Sequence, residues 1–412
     1  PFSEASQGLE NLDPSFDDAQ TVYNALFPLI DEGIAEVLTT EDVLTPNAAV
    51  DLFYGADVEQ WQRFGNSLKL KLYNQIRLVD PTGATNGITQ ILNNPTEFPI
   101  IETRADNFVF TYFNSDAPEG RHPLFQNNYI AGQAQNMSNY LLNKMITTND
   151  PRLNFYVYRL STDDPEGTNV PCDAIPCFYG YQGGGYTGRD NGDPSGIPND
   201  QGERATFGVY PVGGYFDTGS SNLDVTSANQ PFVATGAGIA PILTDWLVLF
   251  TQAEAALTLG TPGDPAALFQ AAMEAQFDHV FNIGAALDAR APAPNNTALI
   301  ADRDAYIADV IADFNGAASD EERLQVIMTE KHTATFGNGM EAYNDFRRTG
   351  FPLFVDQQLQ DGTTVAYPSN QGSISPLGPY PRLLPYANRE LQTNLNAPAQ
   401  RLVSEPVFWD NN

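Results

Sequence analysis

Aromatic side chains spaced by glycine are the clearest chemistry in this chain. Residues 178–186 read FYGYQGGGY, which gathers Phe178, Tyr179, Tyr181 and Tyr186, with Tyr210, Tyr215 and Phe216 further on. A tyrosine ring offers a flat apolar face to the C–H side of a sugar and a hydroxyl to its polar rim. Glycines between the rings let backbone approach a ligand closely. Phe178, Tyr179, Tyr181 and Tyr186 are therefore the candidate ligand-binding platform. The competing use of the same rings is to anchor irregular loops onto a core.

Other motifs carry less. Gly183-Gly184-Gly185-Tyr186-Thr187-Gly188 satisfies G-x-G-x-x-G in form, but Arg189-Asp190-Asn191-Gly192-Asp193-Pro194 follows it. That is loop, and the motif needs a helix to receive a pyrophosphate, so nucleotide binding is rejected. Asp190, Asp193 and Asp200, with Asn191 and Asn199, are oxygen ligands of the type calcium takes. Their spacing fits no EF-hand loop and is equally good turn chemistry. His122, His279 and His332 lie far apart, with no HExxH and no GxSxG elbow. Carboxylates are so abundant that pairs at glycosidase separation arise by chance. The expectation is a binding protein and not an enzyme, with a carboxylate-dependent glycoside hydrolase as the remoter alternative and no cofactor beyond calcium.

The charge balance narrows the partners. With 51 acidic and 20 basic residues the chain carries a formal charge of -31. Such a field repels nucleic acid and anionic headgroups. No apolar run approaches the length of about 18 residues that a membrane helix needs.

Helices position these loops. Asp17 with Gln20 is an N-terminal capping pattern, followed by Val22, Leu26, Leu29, Ile30 and Val37 on one face and a kink at Pro28. Asp57 with Gln60 repeats the pattern ahead of Trp61, Phe64, Leu68 and Leu72. Ile242, Trp246, Leu249, Phe250, Ala253 and Leu257 form another stripe, closed by Gly260, and Asp264-Pro265 opens the next helix. Ala271, Ala272 and Ala275 permit close helix approach there, and Ser319 with Glu322 caps a further helix carrying Leu324, Ile327 and Met328. The predicted fold class is mainly α: a tetratricopeptide-like helical scaffold over about 15–150 and 240–350. A Gly-, Pro-, Asn- and Tyr-rich insertion spans about 150–240 and faces the ligand, and an irregular wrap covers 351–412. The whole is expected to be a single domain, 1–412.

Four motifs, in order, carry a family resemblance. Gly339–Pro352 reads GMEAYNDFRRTGFP and Pro381–Leu391 reads PRLLPYANREL. Trp61–Leu72 reads WQRFGNSLKLKL, and Pro1–Gly8 reads PFSEASQG, followed by Phe16-Asp17 and Ile30-Asp31. Together they resemble the SusD/RagB family of surface nutrient-binding lipoproteins. The resemblance implies capture of an oligosaccharide or polysaccharide, or alternatively of peptides, for a SusC-like TonB-dependent transporter over which the protein acts as a lid. It implies an outer-membrane, cell-surface location through an N-terminal lipid anchor, with the signal and an N-terminal part lying before Pro1. It also makes Arg382 a candidate ligand-binding residue; for Arg347, Arg348 and Arg382 alike, ion pairs tying the C-terminal segment to the helices are the other use. In an exported protein Cys172 and Cys177, in PCDAIPC, are expected to form a local disulfide rather than remain thiols. Closing that loop would contribute about 2 kcal/mol on a chain-entropy account.

Overall fold

The computed structural model describes residues 2–4, 7–39, 50–130, 135–160, 185–186, 188, 205–219, 234–353 and 381–410, and the backbone at 357–358 and 364–365. Helices come first: α1 (Ala19–Leu38), α2 (Val58–Gln75) and α3 (Pro81–Asn93), followed by strand β1 (Phe108–Thr111). Short helix α4 (Pro123–Phe125), α5 (Asn139–Thr147) and α6 (Leu153–Tyr156) lead into β2 (Val157–Arg159) and β3 (Ala205–Phe207). Strand β4 (Ile239–Leu243) precedes α7 (Asp245–Leu259), α8 (Pro265–Leu287), α9 (Thr297–Gly316), α10 (Asp320–Ala334) and α11 (Gly339–Thr349). Strands β5 (Gln357–Gln358) and β6 (Thr364–Val365) and helix α12 (Asn388–Thr393) complete the order. The strands form three antiparallel pairs, β1 with β4, β2 with β3 and β5 with β6.

The sequence explains most boundaries. Asp57 accepts N–H bonds from Glu59 and Gln60, Asp264 from Ala267, and Ser319 from Glu322. Each satisfies donors that a helix start leaves open, about 1 kcal/mol per cap. Gly260 ends α7 and Gly350 ends α11, both with left-handed backbone (φ 67° and 74°) that glycine adopts without strain. The hairpin of α7 and α8 continues through α9 and α10, and α7 also touches α2 and α3. This is the tetratricopeptide-like scaffold. One continuous apolar cluster holds it together, with Trp246, Phe250, Phe269, Phe277 and Ile327 fully enclosed.

Three local expectations are corrected. Asp18, not Asp17, caps α1 by accepting the Thr21 N–H, while Asp17 accepts the N–H of Ser3. Leu29 and Val37 are exposed, because α1 packs mainly on α2 and leaves its outer side open. Ile242 belongs to β4 rather than to the α7 stripe, and is also exposed.

Two clusters of charge are buried deeply in this scaffold. Glu254 of α7 is fully buried and receives Arg77 at 2.8 Å, Asn74 at 2.9 Å and the Arg348 guanidinium through both terminal nitrogens. Burial alone would push its carboxyl up, but Arg348 and Arg77 outweigh that and hold it well below the usual range. Arg152 is equally buried. Its Nε and Nη2 meet Asp150 at 2.8 and 2.5 Å, Nη2 also meets Glu330 at 2.5 Å, and Nη1 donates to Gln276 at 3.0 Å. Lys144 and the Tyr306 hydroxyl reach the other Glu330 oxygen at 2.9 and 2.7 Å.

The arginines of the C-terminal motifs are used as ties. Arg348 donates to Asp345 as well as Glu254. Arg347 donates to the Arg382 carbonyl at 2.6 Å and lies over the rings of Tyr343 and Trp409. Arg382 grips the Asp410 carboxylate through Nε, at 2.8 Å, and Nη2. The GMEAYNDFRRTGFP and PRLLPYANREL segments therefore meet physically.

Candidate functional site

Of the aromatic platform, the structure describes Tyr186; Phe178, Tyr179 and Tyr181 lie outside the described residues. So do Asp190, Asp193 and Asp200, and Cys172 and Cys177. Among the described residues no three His, Cys, Asp or Glu side chains are disposed to hold a metal ion.

Tyr186 is buried against the α6 region. Its hydroxyl donates to Asn154 Oδ1 at 3.2 Å, and the Arg159 guanidinium stands 4.5 Å from its ring centre. Burial, with a further push from Asp217, raises the phenol to about 12 against the opposing pull of Arg159. It is therefore a neutral hydrogen-bonding group at ordinary pH. Arg159 is itself fixed by Asp217, at 2.7 Å through Nε and 2.8 Å through Nη2. A second unit has the same design: Arg290 covers the Tyr215 ring at 4.8 Å and is held by Asp288, which also accepts the Phe216 N–H. An arginine clamped by a carboxylate keeps an aromatic face in one orientation.

Tyr186 also forms part of the wall of a cavity of about 510 Å³. The end of α5, the turn 149–151, α6, Phe216 and the start of α9 supply the rest. Ile146, Pro151, Leu153, Phe216, Pro292 and Leu299 give it apolar walls. Asn149, Asn154, Asn296 and Asp302 give it polar ones. Asn154 uses Oδ1 for Tyr186, and Asn296 uses Oδ1 to cap α9 through the N–H groups of Ala298 and Leu299. Their Nδ2 donors, the Asn149 amide and the Asp302 carboxylate have no partner among the described residues. Asp150 reaches the wall as well, but its two oxygens are held by Arg152. Apolar strips beside open amides and one open carboxylate suit a polyhydroxylated ring, which has C–H faces and hydroxyls that both donate and accept.

A larger depression of about 700 Å³ lies between α8 and α9. Gln270, Glu274, Arg303, Asp304, Ile307, Ile311 and Asn315 line it with two alanines and no aromatic ring, so it lacks a stacking platform. Arg382 lines neither space. The histidines are not functional partners of the cavity either: burial holds His122, His279 and His332 down to about 4, so each is neutral.

The site differs from the sequence reading in composition. The Gly-spaced rings point to Tyr186, but Asn149, Asn154, Asn296 and Asp302 escape notice, since asparagines near helix ends and prolines read as caps and turns. The one usable signal is Asn-Asp-Pro-Arg at 149–152, where an Asp and an Arg stand two apart beside a turn.

Solved structures share this architecture. A chitin-binding SusD homolog from Flavobacterium johnsoniae superposes with a TM-score of 0.66 at 20% identity, over 99% of this chain and 76% of its own. A SusD homolog from Bacteroides uniformis gives 0.65 at 22% identity, over 97% and 74%. At such identities the likeness is one of fold, and the chain spans about three quarters of the length of these neighbours. No curated protein matches the chain significantly. The sequence profile of the SusD-like family described as "Starch-binding associating with outer membrane" matches residues 1–369, and the chain belongs to that family.

Proposed function

We propose that this protein captures oligosaccharide or polysaccharide at the outer-membrane surface, holding a sugar in the Tyr186 cavity, and passes it to a SusC-like TonB-dependent transporter that it covers as a lid. Lipid anchoring would keep it there. The observation that carries the ligand reading is the cavity itself, in which a clamped tyrosine stands beside apolar walls and open amide donors. Binding without turnover fits the same geometry. Hydrolysis of a glycosidic bond uses two carboxyl groups, and here Asp150 is engaged by Arg152, leaving Asp302 as the one unengaged carboxylate among the described lining residues.

Calorimetric titration with maltooligosaccharides, chitooligosaccharides and mixed oligopeptides tests the reading, with product analysis of the same samples. Saturable binding of an oligosaccharide without product, weakened at least tenfold by Tyr186→Ala, is the expected outcome. Peptide binding alone, or release of shorter sugars, would contradict it.

A further inference from the structure

Resting on the capture reading above, we propose that the Tyr186 cavity takes uncharged sugar residues and turns away uronic acids, and that Asp302 is the discriminating residue. The argument is one of local charge. Two guanidiniums touch residues of the cavity wall, and each is already matched: Arg152, against Asp150, by Asp150 and Glu330, and Arg159, over Tyr186, by Asp217. No lysine or arginine is among the described residues that line the space. Asp302, on α9, is the lining carboxylate with no ion-pair partner among the described residues, so those residues give the cavity one unmatched negative charge.

A carboxylate accepts bonds from two adjacent sugar hydroxyls and suits a neutral ring. A uronate brought to the same wall would set two anions against each other with no cation between them. At a separation of a few ångströms near a protein surface, that repulsion corresponds to about a tenfold loss in affinity. The open donors of Asn149, Asn154 and Asn296 do not reverse the preference, since a neutral hydroxyl uses them equally well.

The test compares maltoheptaose with maltoheptaose oxidised at C6 to glucuronate, titrated into the full chain at low salt. Wild-type protein is expected to bind the neutral form about tenfold more tightly, with the gap narrowing as salt is raised. Asp302→Asn, with unchanged melting temperature, should bring the two affinities together, and Asp302→Lys should favour the oxidised form. Equal wild-type affinities, or a preference that persists in Asp302→Asn, would overturn the proposal. If neutral sugar binds but Asn154→Ala and Tyr186→Ala leave its affinity unchanged, capture stands and this assignment falls. If neither sugar binds the wild type, both fall together.

Discussion

The buried cluster around Arg152 and the cavity beside Tyr186 share a wall, and they handle polar groups in opposite ways. In the cluster, Asp150, Glu330, Lys144, Gln276 and Tyr306 converge on one another and on Arg152 at 2.5 to 3.8 Å. Across the wall, Asn149, Asn154, Asn296 and Asp302 retain hydrogen-bonding capacity that no described residue uses. The first arrangement is self-satisfying and holds α5, α6, α8, α9 and α10 in register. The second is incomplete by itself, and an incompletely satisfied polar concavity is what a ligand completes. Asp150 marks the border, with its side chain in the network and its edge on the cavity.

That contrast gives different responses to substitution. Arg152→Met should be the most damaging, because it strands the carboxylates of Asp150 and Glu330 in the interior. A loss of about 3–5 kcal/mol is expected by denaturant titration. Acid should expose the same interior. The three histidines sit near 4 in the folded chain against about 6.5 when unfolded, so the unfolded state takes up protons first. Their stabilising contribution is complete above pH 6.5 and declines as the pH falls toward 4. Glu330, where burial is outweighed by Arg152 and Lys144, stands at about 2, so its contribution is lost from about pH 4.5 down to 2. The denaturation midpoint should therefore fall steadily from pH 7 to pH 4 and further below, and a flat profile would show these groups to be more solvated than the fold implies.

Smaller effects sharpen the other side of the comparison. Asn296→Ala removes the α9 cap and one cavity donor together, so it should cost about 1 kcal/mol of stability and also weaken sugar binding. Gly350→Ala, at φ 74°, should cost about 1 kcal/mol with no effect on binding, since it lies in the C-terminal tie. Tyr186→Phe keeps the ring under Arg159 and loses the bond to Asn154, for about 0.5–1.5 kcal/mol or less.

How much of this was legible in the sequence divides along the same line. Caps at Asp57, Asp264 and Ser319 and the stripe from Trp246 to Leu257 speak in short-range spacing, which composition and periodicity register directly. The register failed at Asp17 by one residue because two adjacent aspartates compete for one cap. Glu254 and Glu330 were invisible as core groups, since a charge within a helix ordinarily reads as its solvated face and its partners lie far along the chain. Tyr186 was legible as an aromatic among glycines, whereas its cavity was not. That space is assembled from residues 145 to 302, and each of its asparagines has an adequate local explanation as turn or cap.

A crystal structure of the protein with a neutral oligosaccharide would test the central claim most directly. The account predicts a sugar ring between Tyr186 and Leu299, with hydroxyls on Asn154, Asn296 and Asp302 and the Arg152 cluster unmoved. A sugar bound on another surface, with this cavity closed or occupied by side chains, would contradict it.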